Sequence, residues 1–247
     1  MDGESVPTAV SLPSGAPDPA VRPPTPAPPR RRRLGLWAGG VAALLLGAGG
    51  LVTPKLLCRS LNANESAAIA ALKNISSAQS QLQAMGFVDE NENGVGEYGF
   101  FAELAGVVTA RGSHRKCSPP VLGQRFAKVV NGRVHAGGYV FQMFLRGPDG
   151  AWVGEAANGG AAGVPVDAEH AETEWMCYAW PEEQGCSGKR AFLVTSAGDT
   201  FACILQTRVY GGEAGPEPGV AGWTTRDGKP VIAANTTDAI GNMWAII

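Results

Sequence analysis

Histidine is scarce in this chain of 247 residues, and the three present, His114, His135 and His170, stand in no spacing that a catalytic motif uses. There is also no HExxH, no GxSxG and no CxxC pair. The first absence removes the usual zinc-hydrolase signature, the second the strained nucleophile elbow, and the third the paired thiolates of a structural zinc site. A cysteine and a histidine could still meet in space, but the cysteines of the exported part are better accounted for as bonds, so no enzyme is expected. Charge of one sign is lacking too. The net charge is −2, and the main basic cluster is the short run Arg30 to Arg33. With no basic face beyond it, nucleic acid is not an expected partner.

What is there begins with a proline- and alanine-rich start. Residues 1–29 carry almost no bulky side chains, so they cannot bury enough surface to offset chain entropy. From Leu34 to Pro54 no residue is charged, and roughly 20 apolar residues is the length a helix needs to cross a bilayer core. Four arginines precede this stretch and none lies within it, which sets the N-terminus on the cytoplasmic side. The expected organisation is a disordered cytoplasmic tail over 1–33, a transmembrane helix over 34–57 and an exported domain over 58–247. The expected location is a membrane crossed once, with the N-terminus cytoplasmic and the C-terminal domain on the far side.

Beyond the apolar stretch, neither proline nor glycine occurs between Lys55 and Gly86. Ile69, Leu72, Ile75, Ala78 with Gln79, Leu82 and Met85 recur at steps of three and four, opposite Lys73, Asn74, Ser77 and Gln81. That periodicity predicts an amphipathic helix, continuous with the anchor or freshly capped at Asn62 or Asn64.

The most distinctive local motif follows. Asp89, Asn91 and Asn93, with Gly94 after them, copy the first half of a calcium loop, and Val95 and Glu97 supply the next alternating positions. The twelfth position, where a bidentate glutamate belongs, is Phe100. A calcium ion held by Asp89, Asn91, Asn93, Val95 and Glu97 is one reading; an Asx-rich turn without metal is the other. The same stretch is formally GxGxxG from Gly94 to Gly99. It is preceded by DENEN, which would repel a pyrophosphate, so a dinucleotide site is rejected.

Strand character dominates the remainder. Tyr139 to Arg146 alternates with one wholly apolar face, Gly147 to Gly150 is a turn, and Glu155 to Gly163 reads as an exposed glycine-alanine loop. Glu174 to Pro181 is a second strand, and Ser196 to Asp199 joins two more in a hairpin. Another turn is expected from Asp227 to Pro230. Four cysteines, Cys117, Cys177, Cys186 and Cys203, follow the apolar segment, an even number that suggests two disulfides. Cys177 with Cys186 and Cys117 with Cys203 is a guess among three pairings. Trp152, Trp175, Trp180 and Trp223 are candidates for a contact surface, although most are expected in the core.

A single apolar helix running into NESAAIAALKNISSAQ, then GEYGFFAEL, then an antiparallel sheet, resembles a type IV pilin or pseudopilin. More narrowly, GGYVFQMFLRGPDG and YAWPEEQGCSGKRAFLVTSAGDTF are similar to an uncharacterised family of secreted bacterial proteins. The resemblance implies an α+β fold in which a transmembrane helix continues into an amphipathic helix packed on an antiparallel sheet. It also implies a non-enzymatic, membrane-anchored component of an envelope or secretion apparatus, forming homo- or hetero-oligomers through its N-terminal helix. The alternative is a stand-alone tethered binding module at the cell surface. The chain departs from a prepilin at the cleavage motif: Gly35 is followed by Leu36, the fifth residue is Gly40, and the apolar segment contains no glutamate.

Overall fold

The computed structural model describes residues 61–113 and 115–247. Helix α1 covers residues 61–84, where good helix formers run on without a breaker. It stops at Gly86, whose φ of 56° closes the last turn and whose N–H donates to the Gln83 carbonyl at 2.9 Å. Leu72, Ile75, Ala78, Gln79 and Leu82 are buried, while Lys73, Asn74, Ser77 and Gln81 face water. Ile69 is half-buried, and Met85 lies beyond the packed stripe with 53 % of its surface exposed.

The first turn of α1 is clasped to the sheet. The Asn64 amide donates to the Ser187 carbonyl at 2.9 Å, and Glu65 accepts from the backbone of Lys189 at 3.0 Å. Its second oxygen pairs with the Arg190 guanidinium at 2.7 Å. Glu65 is buried, so this carboxylate is compensated by a matched cation and by peptide donors together.

The strands are β1 (Val134–Ala136), β2 (Tyr139–Arg146), β3 (Trp152–Gly154), β4 (Trp175–Pro181), β5 (Phe192–Thr195), β6 (Thr200–Leu205), β7 (Trp223–Arg226), β8 (Lys229–Ile232), β9 (Thr236–Thr237) and β10 (Met243–Ile246). Two short helices, α2 (Phe101–Leu104) and α3 (Ala168–Ala171), lie in the connections. The main sheet is antiparallel, in the order β1-β2-β4-β5-β6-β10-β9, with β3 pairing to β2. β7 and β8 form a separate hairpin over Asp227-Gly228, with φ of 52° and 75° at its two turn residues. Positive φ at both is the turn geometry whose twist matches the flanking strands.

Alternation on β2 sends Tyr139, Phe141, Met143 and Leu145 into a core shared with α1 and α2. The other face is closed as well. Val140 and Phe144, with Met176, Tyr178 and Trp180 of β4, enter a second core around Tyr210 and Trp244. All seven residues of β4 are therefore buried, where alternation alone predicts a single apolar face. The glycine-alanine stretch after β3 is likewise not simply exposed, because Glu155, Gly159 and Gly160 are buried.

The expected fold class is corrected. The described residues are mostly antiparallel β-sheet with few helices, which is unlike a pilin, in place of an α+β protein led by a transmembrane helix. Among the described residues, no helix is long and apolar enough to cross a membrane. Helix 61–84 carries a continuous polar face, and is a helix of the folded domain. The physical reason is that an uninterrupted helical period of 24 residues is prominent in a sequence, whereas most of the ten strands are too short to show a period of their own. The segments assigned as tail (1–33) and span (34–57) lie outside the described residues, as does Cys58.

Candidate binding cleft

The β2–β3 hairpin places Arg146 directly opposite Trp152 in the ladder. Its tight turn is built by Gly147 to Gly150, where Asp149 Oδ1 accepts the Ala151 N–H at 3.0 Å. Cross-strand neighbours touch, so the Arg146 guanidinium carbon lies 3.8 Å from the centroid of the Trp152 ring. It is held flat there from both sides. Nε donates to Glu174 Oε2 at 2.7 Å and Nη1 to the Gly150 carbonyl at 2.6 Å.

Trp223, at the start of β7, brings a second indole beside the first. The two ring centroids are 6.4 Å apart and the planes are inclined at 44°. Gly219 approaches the edge of Trp152 so closely that a Cβ there would stand 2.8 Å from Cδ1, and its φ is 73°. Both the conformation and the space therefore call for glycine. Two clefts, of about 360 and 330 Å³, open around this cluster and share Arg146, Trp152, Trp223 and Pro230. The first reaches Pro218 and Gly219, the second Glu174, Thr195 and Ser196. Trp152 and Trp223 are half-buried, whereas Trp175 and Trp180 belong to the two cores. Of the four tryptophans named from the sequence, the fold thus brings two together as a surface.

The predicted calcium ligands are placed differently. Asp89 accepts backbone N–H groups from Asn93 at 3.1 Å and Gly94 at 3.0 Å, and Asn93 Oδ1 accepts from Val95 at 2.7 Å. These are the bonds of consecutive Asx turns. Glu97 turns inward, fully buried, and pairs with Arg111 at 3.1 Å. Burial pushes its carboxyl above the ordinary range, against the opposing pull of the Glu90 N–H and the Arg111 charge. Arg111 also lies 3.4 Å from buried Glu103 and donates to the Tyr98 carbonyl. A residue that spacing does not point to, Glu172, faces the loop from beyond α3: Asn91 and Asn93 donate to its Oε1 at 3.0 and 2.7 Å. Among the described residues, no group of three or more histidine, cysteine or acidic side chains is arranged to hold a metal ion.

The structure does not bring the cysteines together in the guessed pairs: Cys117, Cys177, Cys186 and Cys203 are each unpaired in it. Cys117 and Cys177 belong to the core under α1 and Cys203 to the opposite core, so the sheet itself separates Cys117 from Cys203. Cys177 points into a core while Cys186 sits on an exposed loop. Burial drives the Cys177 thiol well above its usual range and Cys203 to about 12.

Comparison with protein-family models, with curated proteins and with solved structures found no match. The cleft therefore stands on its geometry alone. Sequence reading missed Arg146 and Glu174 as partners because they are 28 positions apart and meet only through the pairing of β2 with β4.

Proposed function

We propose that this chain is a non-catalytic binding module whose ligand surface is the Trp152–Trp223 cleft. One observation carries the reading: two half-buried indoles meet at the surface, one of them under a clamped arginine, while the other tryptophans among the described residues, Trp175, Trp180 and Trp244, are buried. Tryptophan and arginine are the residues that concentrate binding energy in small patches, since they offer large rigid area and few rotors to freeze. Each cleft falls at the small end of the size range of ligand pockets. The non-catalytic part of the reading is supported by the thiols. A nucleophilic cysteine needs a depressed pKa, whereas burial moves Cys117, Cys177 and Cys203 upward.

A fragment screen followed by tryptophan fluorescence tests the proposal. Fragments that shift emission in the native protein should lose their effect in Trp152→Ala and Trp223→Ala variants that retain a native far-ultraviolet spectrum. Hits that survive both substitutions would place the binding surface elsewhere and end this reading.

A further inference from the structure

We infer that the cleft takes a neutral oligosaccharide, one sugar unit in each of the two adjoining clefts around Trp152 and Arg146. This rests on the binding-module reading above and narrows it to a ligand class.

Charge comes first. The one guanidinium in the cleft is matched by the one carboxylate, Arg146 to Glu174 at 2.7 Å, and the remaining lining is uncharged. An anionic ligand would have to compete with Glu174 for Arg146, and a cationic one with Arg146 for Glu174. A ligand without charge disturbs neither.

The hydrogen-bonding pattern narrows the class. Arg146 spends Nε on Glu174 and Nη1 on Gly150, which leaves Nη2 as a fixed donor beside a carboxylate acceptor. A donor and an acceptor side by side complement two neighbouring hydroxyls, each of which both gives and accepts. Thr195 and Ser196 extend the polar side of the second cleft.

Shape excludes flat rings and disfavours peptides. Indoles inclined at 44° with centroids 6.4 Å apart cannot sandwich a planar base between parallel faces. Arg146 already covers one face of Trp152, so a puckered sugar would lay its C–H face on the aromatic surface that the pair leaves uncovered. Pro218 and Pro230 in the lining bring no backbone N–H, which reduces the donors available there for pairing with an extended peptide. Two clefts of similar volume that adjoin through Arg146, Trp152, Trp223 and Pro230 fit consecutive units of a chain rather than a single monosaccharide.

The test is two-dimensional NMR of the indole N–H resonances of the folded protein, titrated with cellotetraose, maltotetraose and chitotetraose. A sulfated heparin tetrasaccharide and a proline-rich decapeptide serve as comparisons. At least one neutral tetrasaccharide should shift the Trp152 and Trp223 signals with a Kd of about 0.1–1 mM. The same sugar should bind at least about tenfold more weakly to Trp152→Phe, which keeps an aromatic in place, and to Arg146→Lys, which keeps the charge but loses the planar fork. Binding of the heparin fragment or the peptide at these indoles, with none of the neutral sugars binding up to about 10 mM, would overturn the sugar assignment and leave the binding-module reading intact. Silence from every probe, together with fragment hits indifferent to both tryptophans, would overturn both.

Discussion

Replacing Arg111 with leucine is the most demanding test of how the loop after α1 is held. The arginine side chain is 7 % exposed, and the Glu97 and Glu103 side chains that it neutralises are at 0 %. Leucine keeps much of the packed stem and deletes the charge. Two buried carboxylates then lose their only close cation among the described residues, apart from what peptide donors supply: the Glu90 N–H to Glu97, and the Phe100 and Arg111 N–H groups to Glu103. Breaking a buried pair in this way costs about 3–5 kcal/mol, several times the value of an exposed bridge. The pH dependence has a definite sign. Burial already raises the Glu97 carboxyl, and removing Arg111 raises it further. A raised carboxyl in the folded state costs stability as pH climbs from the unfolded-state pKa through the folded one. Urea unfolding followed by circular dichroism should therefore show a larger deficit at pH 7.5 than at pH 5.5, by about 1 kcal/mol or more. Adding Glu97→Gln to Arg111→Leu should recover part of the loss by removing the stranded charge. A deficit below about 1 kcal/mol, unchanged between the two pH values, would mean that the cluster behaves as a solvated surface pair, and the reasoning would fail.

Glu155 is held at about 7 by burial, so Glu155→Gln should stabilise the protein above that pH by up to about 3 kcal/mol. The gain should shrink as pH falls from about 7 toward 4.5 and vanish below that, where both states are protonated; urea midpoints at pH 8 and pH 5 measure the decrease. Gly219→Ala should lower stability by about 1–2 kcal/mol through its left-handed backbone and the clash with Trp152, read as a lower Tm. Of the four described thiols, Cys186 should react with a thiol reagent in the native protein, and Cys117, Cys177 and Cys203 only after denaturant is added; dithiothreitol should leave Tm unchanged. Asp89→Ala removes the acceptor for two backbone N–H groups and should cost about 1–2 kcal/mol in thermal unfolding.

Local chemistry was legible in the sequence, and long-range geometry was not. The 61–84 helix shows itself because nothing interrupts its period, and the turns at 147–150, 196–199 and 227–228 show themselves because glycine and aspartate mark tight reversals. The fold class escaped because seven-residue β4 is buried on both faces, a property that depends on what covers the sheet and not on its own alternation. Glu155 lies in a loop, as its glycine and alanine neighbours suggest, but that loop is not exposed there: the carboxylate is buried and its Oε1 accepts the Ala102 N–H at 2.9 Å. The cysteine pairing could not be settled without knowing which face each strand residue takes. Trp152 was visible as an aromatic, but its meeting with Trp223 requires the β7–β8 hairpin to fold back over the sheet. Likewise, Glu172 becomes a neighbour of Asn91 only through the tertiary fold.

The clasp between the first turn of α1 and the loop joining β4 to β5 sets how the domain meets a mechanical load. A pull applied through residue 61 is received first by the Glu65–Arg190 ion pair and the Asn64–Ser187 hydrogen bond. Those contacts hand the force to β4 and β5, which lie in the interior of the strand order with neighbours on both sides. Such strands must be sheared out against two ladders at once, whereas an edge strand such as β9 could be peeled away one bond at a time. Load applied at residue 61 thus enters the sheet at its interior and not at its edge.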